Sequence, residues 1–203
     1  MSFTAVALVL GVALGFAAGG RAANMKRRPL ELVWLLAISV ALQVAAEMLD
    51  VHERAGLAMV LTSYVGLSAF AVANIRLVGM PVVLVGLLCN LAVIAANGGM
   101  PVRADAIVAA HAAEREALGT LDFGAKRHLE QDDDVLTFLG DIIPVRPTRE
   151  VLSFGDLILA IGIADVIFRL LKPVEVRARR EERAETIHLD AAAPERTRHL
   201  VDA

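Results

Sequence analysis

LVGMPVVLVGLLCNLAVIAA, residues Leu77 to Ala96, is a run of twenty residues without a charged side chain. An α-helix rises 1.5 Å per residue, so a run of this length can cross the ~30 Å hydrocarbon core of a bilayer. Four further apolar runs have the same character: Ser2–Gly20, Leu30–Val51, Gly56–Asn74 and Ser153–Leu171. The sequence therefore predicts an all-α integral membrane bundle of five transmembrane helices.

The composition supports this class of protein. Hydrophobic residues make up 57% of the 203 residues, whereas soluble domains have ~45–50%. The single cysteine, Cys89, excludes an intramolecular disulfide. The five histidines lack metal-ligand spacing, and no phosphate loop or nucleophile motif occurs. We therefore expect no metal, no cofactor, no catalytic motif and no nucleic-acid partner, and the partner that the composition indicates is the lipid bilayer.

The basic residues predict the orientation. No Lys or Arg precedes the first run, which argues against a signal peptide, and a basic cluster follows it. Because cytoplasmic loops are rich in Lys and Arg, the N-terminus is expected outside the cell membrane and the C-terminus inside. The predicted organisation is four helices in 1–96, an extracytoplasmic lid segment in 97–152, the fifth helix in 153–172 and a charged, partly disordered cytoplasmic tail in 173–203.

The lid segment is expected to contain two short helices. The stretch RADAIVAAHAAEREAL, residues 103–118, is typical of a helix with one apolar side. Asp132–Asp134 would supply N-terminal carboxylates for a second helix that begins near Val135 and stops at Pro144. Two short helices cannot form a soluble core of their own, so the segment is expected to pack on the outer mouth of the bundle.

Several polar residues are predicted at one level in the outer half of the bundle. They either form an outward-facing polar pocket beneath the lid, with Glu47 as its main carboxylate, or join the helices by hydrogen bonds. Asp156 has a third interpretation, because Ser153-x-x-Asp156 matches a helix capping box. The candidate site comprises Gln43, Glu47, Asp50, Tyr64, Asn90, Asn97 and Asp156.

Two other patterns concern packing inside the membrane. Asp165 and Arg169 are one turn apart, and with Arg76 they are interpreted as an intramembrane ion pair or as part of a proton or cation relay. Glycines at four-residue spacing let helix backbones approach closely, either within the chain or in a homo- or hetero-oligomer. These glycines are Gly11, Gly15 and Gly19.

A resemblance to a known family covers most of Met1–Pro173. It rests on three motifs that occur in order: NGGMP at 97–101, LGDIIP at 139–144 and SFGD at 153–156. The chain resembles a family of uncharacterised bacterial multi-pass membrane proteins, known as a domain of unknown function. The resemblance implies a location and a fold but no activity.

Three functions stay open at this stage. The leading one is a multi-pass cell-membrane protein that binds or moves a small solute or lipid head group at the outward-facing polar site. The first alternative is a structural or accessory subunit of a larger membrane complex. The second is a membrane-embedded enzyme, in which Glu47, Asp50 or Asp156 would meet Asp141 or a histidine.

Overall fold

The computed structural model describes residues 3–27, 29–49, 52–121 and 123–172. Asp50 and the tail at 173–203, which the sequence analysis discussed, lie outside the described residues. The described part is mostly helical. Its helices are α1 (Phe3–Ala17), α2 (Val33–Met48), α3 (Glu53–Ala73), α4 (Met80–Asn97), the short α5 (Ala104–Ala109) and α6 (Phe154–Leu171).

Each predicted apolar run forms one of the long helices, with ends displaced by a few residues. Helices α3 and α4 are long and apolar enough to cross a membrane. Helices α1 and α2 are equally apolar in character but have 15 and 16 residues. Helix α6 has 18 residues but carries Asp156, Asp165 and Arg169. Length and charge therefore distinguish these three helices from the two clear candidates.

Glycines determine how closely the helices pack. Along the bundle, neighbouring helices follow the order α2, α3, α4, α6 and α1. A methyl group at Gly162 of α6 would lie 2.6 Å from the backbone nitrogen of Val83 in α4, and one at Gly86 would lie 2.7 Å from that of Leu159. The α4 and α6 backbones are therefore in direct contact, as small residues permit in membrane bundles.

The glycines of α1 also allow close packing against a neighbouring helix. A Cβ atom at Gly11 would lie 2.8 Å from the carbonyl oxygen of Ala164, and one at Gly15 would meet the side chain of Leu171. Gly19 ends the helix with a positive φ of 77° and has open space around it. Gly11 and Gly15 thus pack against α6 of the same chain.

Large apolar side chains also cover the outer surfaces of the helices. Examples are Leu14 of α1, Trp34 of α2, Val65 of α3 and Ile161 of α6, each more than half exposed. Soluble monomers rarely expose apolar patches of this extent. The buried core is formed by residues such as Val60, Phe70, Val83, Leu87, Val93, Ile94 and Leu170.

The segment between α4 and α6 forms a small cap, residues 98–153, which combines four short strands with α5 and short 3-10 turns. Strand β1 (Met100–Val102) pairs in parallel with β2 (Arg127–Leu129), and β3 (Ile143–Val145) pairs in antiparallel fashion with β4 (Glu150–Leu152). The cap has its own apolar cluster, formed by Val102, Ala106, Ile107, Ala110, Leu118 and Val151.

The prediction of two helices in this segment is confirmed only for the start of the first one, which forms α5, and the second helix is absent from the described residues. The first helix stops at Ala109 because His111 adopts a positive φ of 58°. The stretch after Val135 is not a helix either, because Leu136 has a φ of 56° and only a single 3-10 turn follows, at Thr137–Leu139. Pro144 lies within strand β3 rather than ending a helix.

The expected role of the aspartates is also corrected. Asp134 does not cap a helix; its side chain accepts a hydrogen bond from the backbone N–H of Gln131 and lies 3.0 Å from Nε2 of His128. The cap can form a small core because its strands pair and because β1 and β4 are held directly by the ends of α4 and α6. Tertiary pairing therefore replaces the helices that local propensity favours.

Substitution of Gly162 by Ala is expected to destabilise the protein by about 1–3 kcal/mol, since the added methyl group would force the α4 and α6 backbones apart. The measurement is the midpoint of thermal unfolding in detergent. Gly119→Ala is the matched control, because a Cβ atom there meets nothing within 4 Å. Equal midpoints for the two variants would contradict the direct contact of α4 and α6.

Candidate functional site

Polar side chains from both parts of the fold meet where the cap covers the bundle. We call this group the polar cluster. The bundle contributes Tyr64 from α3, Asn90 from α4 and Asp156 from α6, and the cap contributes Arg127, Asp141 and Ser153. Tyr64, Asn90, Asp141 and Ser153 are almost fully buried.

Asn90 joins α4 to the start of α6. Its Nδ2 donates to Oδ1 of Asp156 at 2.8 Å, and its Oδ1 accepts from the hydroxyl of Ser153 at 3.0 Å. Ser153 and Asp156 also form the expected capping box, in which each side chain bonds the backbone N–H of the other residue. Gly155 leaves room for Asn90, since a Cβ atom there would overlap with the amide oxygen.

Tyr64 adds a phenol to this group. Its side chain is 4% exposed, hydrogen-bonds the side chain of Asn90 and lies within electrostatic range of Asp156 and Asp141. A phenolic hydroxyl both donates and accepts hydrogen bonds. Tyr64 therefore brings a buried hydroxyl into electrostatic range of both carboxylates of the cluster.

Asp141 is the buried carboxylate of the cap. Its backbone is fixed between two segments, because its N–H donates to Pro101 O and its carbonyl accepts from Arg103 N–H. Its side chain is 1% exposed and Oδ2 lies 2.8 Å from Nε of Arg127. Neither oxygen, however, receives a well-directed hydrogen bond. The two charges are adjacent through Oδ2, and acceptor positions on the carboxylate stay open.

Burial raises the pKa of Asp141 to about 7, in spite of the attraction of Arg127 and Lys126, and the negative charge of Asp156 adds to the increase. Removal of a carboxylate from water disfavours its charged form. Burial therefore favours the neutral form of the Asp141 side chain up to a higher pH than in an ordinary aspartate.

The other residues of the predicted pocket have different positions. Gln43 is partly buried on α2 and Glu47 is exposed on the same helix. Glu47 is close enough to contribute to the electrostatic environment of Arg127. Asn97 lies at the end of α4, where its side chain bonds both backbone groups of Val135, at 2.8 and 2.9 Å.

Asn97 also lines an open depression beside a histidine–carboxylate pair. Nε2 of His128 lies 3.0 Å from both oxygens of Asp134, whose side chain is 6% exposed. His128 thus pairs with Asp134 and not with the carboxylates of the polar cluster. Among the described residues, no group of three or more His, Cys, Asp or Glu residues is arranged to hold a metal ion.

The second predicted group lies at the opposite end of α6. Nε of Arg169 is 2.9 Å from both oxygens of Asp165, as expected for residues one turn apart. A Cβ atom at Gly79 would lie 2.9 Å from Oδ2 of Asp165, so the turn before α4 packs against this carboxylate. Arg76 is exposed and lines a separate depression with Glu31 and Asn74.

Sequence reasoning missed Arg127 as a member of the site and assigned Asp141 only to the enzyme alternative. The LGDIIP motif contains Asp141, but nothing in its spacing showed that the aspartate is buried. Arg127 is one of several bases in the outer segment, and no local pattern distinguishes it. Pairing of β2 with β1 brings it into the cluster.

Comparison with known proteins places the chain in a family. A family model described as "Family of unknown function (DUF5317)" matches residues 27–168, which include all residues of the polar cluster. No curated protein and no solved structure matches the chain.

Asp141→Asn is expected to change the pH dependence of stability. The folded pKa of about 7 exceeds the ordinary value of 3.8, so between these values the folded chain binds more protons than the unfolded chain and its stability falls as the pH rises. The slope approaches about 1.4 kcal/mol per pH unit. Asn cannot ionise, so the variant should lose this contribution.

The measurement is the unfolding midpoint in detergent between pH 4 and 8, expressed as the difference between wild type and variant. Asp105→Asn is the control, because Asp105 is an exposed carboxylate paired with Arg115. If the difference in unfolding midpoint between wild type and Asp141→Asn is constant over this range, Asp141 does not titrate there.

Proposed function

We propose that this chain, which belongs to the DUF5317 family of unknown function, is a cell-membrane protein with five spans. On this proposal it binds or moves a small polar solute or a lipid head group at the polar cluster on the outer face. The observation that carries the proposal is Asp141, a buried carboxylate beside Arg127 whose two oxygens receive no well-directed hydrogen bond. Unused buried acceptors of this kind are costly unless a partner satisfies them.

The surface of the helices supports five spans. All five long helices are apolar, and large apolar side chains on α1 and α2, such as Leu14 and Trp34, are more than half exposed. These two helices have 15 and 16 residues, slightly fewer than the ~17–25 usual for a span. Beyond Ala17 the uncharged residues Ala18, Gly19 and Gly20 extend the first segment, whereas Glu31 stands two residues before Val33.

The contacts at the other end of the bundle support the orientation. The N–H of Arg21, just after α1, donates to Leu171 O at the end of α6. The side chain of Asn74, after α3, bonds both backbone groups of Glu31. The connections that carry Arg21, Arg76 and Lys172 therefore share one end of the bundle, and basic residues of this kind mark the cytoplasmic side.

The composition of the polar cluster supports binding rather than packing alone. Asp156 is satisfied by Asn90 and by its own capping box, so it needs no ligand. Asp141 and Tyr64 are both buried, and the oxygens of Asp141 retain acceptor capacity. A few convergent polar groups in an apolar surrounding are typical of small-ligand sites.

The orientation is tested with single cysteines in a background in which Cys89 is replaced by Ala. Gly119→Cys in the cap should react with a membrane-impermeant maleimide in intact cells, whereas Met25→Cys should react only after permeabilisation. Both positions are exposed, so access to reagent depends on the side of the membrane. Labelling of Met25→Cys alone in intact cells would reverse the orientation.

Binding is tested with the purified protein in detergent and a panel of soluble probes: phosphoethanolamine, phosphocholine, glycerol 3-phosphate, glycine and putrescine. At least one probe should raise the unfolding midpoint of wild type. The variants Tyr64→Phe and Asp141→Asn should each need at least a tenfold higher concentration of that probe for the same shift. Asp105→Asn should respond like wild type. If no probe shifts the wild-type midpoint, the polar cluster is a structural network and not a solute site.

A further inference from the structure

The side of the polar cluster that faces the membrane contains an arginine with unused donors. Nε of Arg127 is held 2.8 Å from Asp141, while 41% of its side chain is exposed. Among the described residues, no side-chain hydrogen bond from its two Nη atoms accompanies the ion pair of Nε with Asp141. A guanidinium fixed on one edge offers the other edge as a planar fork that suits phosphate or carboxylate oxygens.

Arg127 lies at the outer end of α2 and α3. The turn just before it, Gly124–Lys126, packs on both helices. The last turn of α2 has Met48 79% exposed and Leu49 58% exposed. In the proposed orientation, this apolar end of a lipid-facing helix is at the depth of the outer-leaflet head groups.

A carboxylate of opposite charge lies on the same surface. Burial lowers the pKa of Arg127, but the acidic groups around it outweigh this effect and leave the pKa raised. Asp141 and Asp156 contribute more to this increase than Glu47 does. Glu47 is exposed on α2, one residue before Met48. On the other side Lys126 is close enough to act electrostatically on Asp141. Positive and negative charges thus lie within electrostatic range of the same ion pair, Arg127–Asp141.

We propose that this rim, formed by Glu47, Lys126 and Arg127, binds the head group of a zwitterionic aminophospholipid. The phosphate lies against the Nη edge of Arg127 with Lys126 nearby, and the primary ammonium lies against Glu47. The inference rests on the proposed function, because it assigns a ligand class to the membrane-facing side of the same site.

The ammonium distinguishes this lipid class from others. A primary ammonium carries three N–H donors, and a carboxylate can accept hydrogen bonds from them. A quaternary choline head group has the same charge but no donor, and an anionic glycerol head group has no cation for Glu47. The rim should therefore prefer ethanolamine over choline and over glycerol head groups.

The test uses the full chain in nanodiscs that contain equal amounts of phosphatidylethanolamine, phosphatidylcholine and phosphatidylglycerol. Lipid that remains bound after gentle transfer to detergent is counted by native mass spectrometry. Wild type should retain ethanolamine lipid at least fivefold over choline lipid, and Glu47→Gln should reduce this ratio at least threefold. Glu53→Gln is the matched control, since Glu53 is an exposed carboxylate at the same end of the bundle.

Arg127→Lys keeps the charge beside Asp141 but removes the planar fork, so it should lower retention of all three phospholipids without unfolding the protein. The double variant Arg127→Gln, Asp141→Asn removes the ion pair without an unpaired buried charge and should have the same effect. Free phosphoethanolamine should compete at high concentration if the head group alone is recognised.

Preferential retention of the glycerol lipid, or an ethanolamine preference that Glu47→Gln leaves unchanged, would overturn the inference. The two proposals fail separately. If a soluble probe stabilises the protein through Tyr64 and Asp141 while no lipid is preferred, the polar cluster remains a solute site and the assignment of the rim to aminophospholipid is wrong.

Discussion

The contact between the backbones of α4 and α6 is the constraint on which the rest of the structure depends. Gly86 and Gly162 remove the side chains that would keep the two helices apart, and Gly155 gives Asn90 access to the start of α6. The Asn90 amide then bonds Ser153 and Asp156. A hydrogen bond of this kind contributes modestly by itself, at ~0.6–2 kcal/mol in membrane bundles, but it fixes the point where the chain re-enters the bundle after the cap.

The cap adds charge to this junction. The backbone of Asp141 is held between Pro101 and Arg103, and its carboxylate is buried at this junction. Arg127 neutralises part of its charge from the neighbouring strand. Buried ion pairs contribute little net stability, because desolvation cancels most of the attraction, but loss of one partner is costly. The pair therefore specifies where the cap sits more than it stabilises the fold.

Most of the bundle could be predicted from the amino-acid sequence, but little of the cap could. The apolar runs predicted the long helices because burial in helices depends on composition along the chain, and the spacing of Ser153 and Asp156 was sufficient for the capping box. The strands have three residues each and exist only through partners up to 27 residues away, as in the register of Met100 with Arg127. Leu136 and His111 have positive φ values that their residue types disfavour, so tertiary contacts override local preference there.

The residues of the polar cluster also differ in how far they could be predicted from the sequence. Tyr64, Asn90 and Asp156 could be grouped from helix periodicity and depth, whereas Arg127 joins them through strand pairing that no local pattern shows.

The short links between the cap strands and the helices have a mechanical consequence. Only Gly98 and Gly99 separate α4 from β1, and Ser153 alone separates β4 from α6. With connections this short, the ends of α4 and α6 determine where β1 and β4 lie. Because β1 pairs with β2, the end of α4 also determines the position of Arg127 beside Asp141.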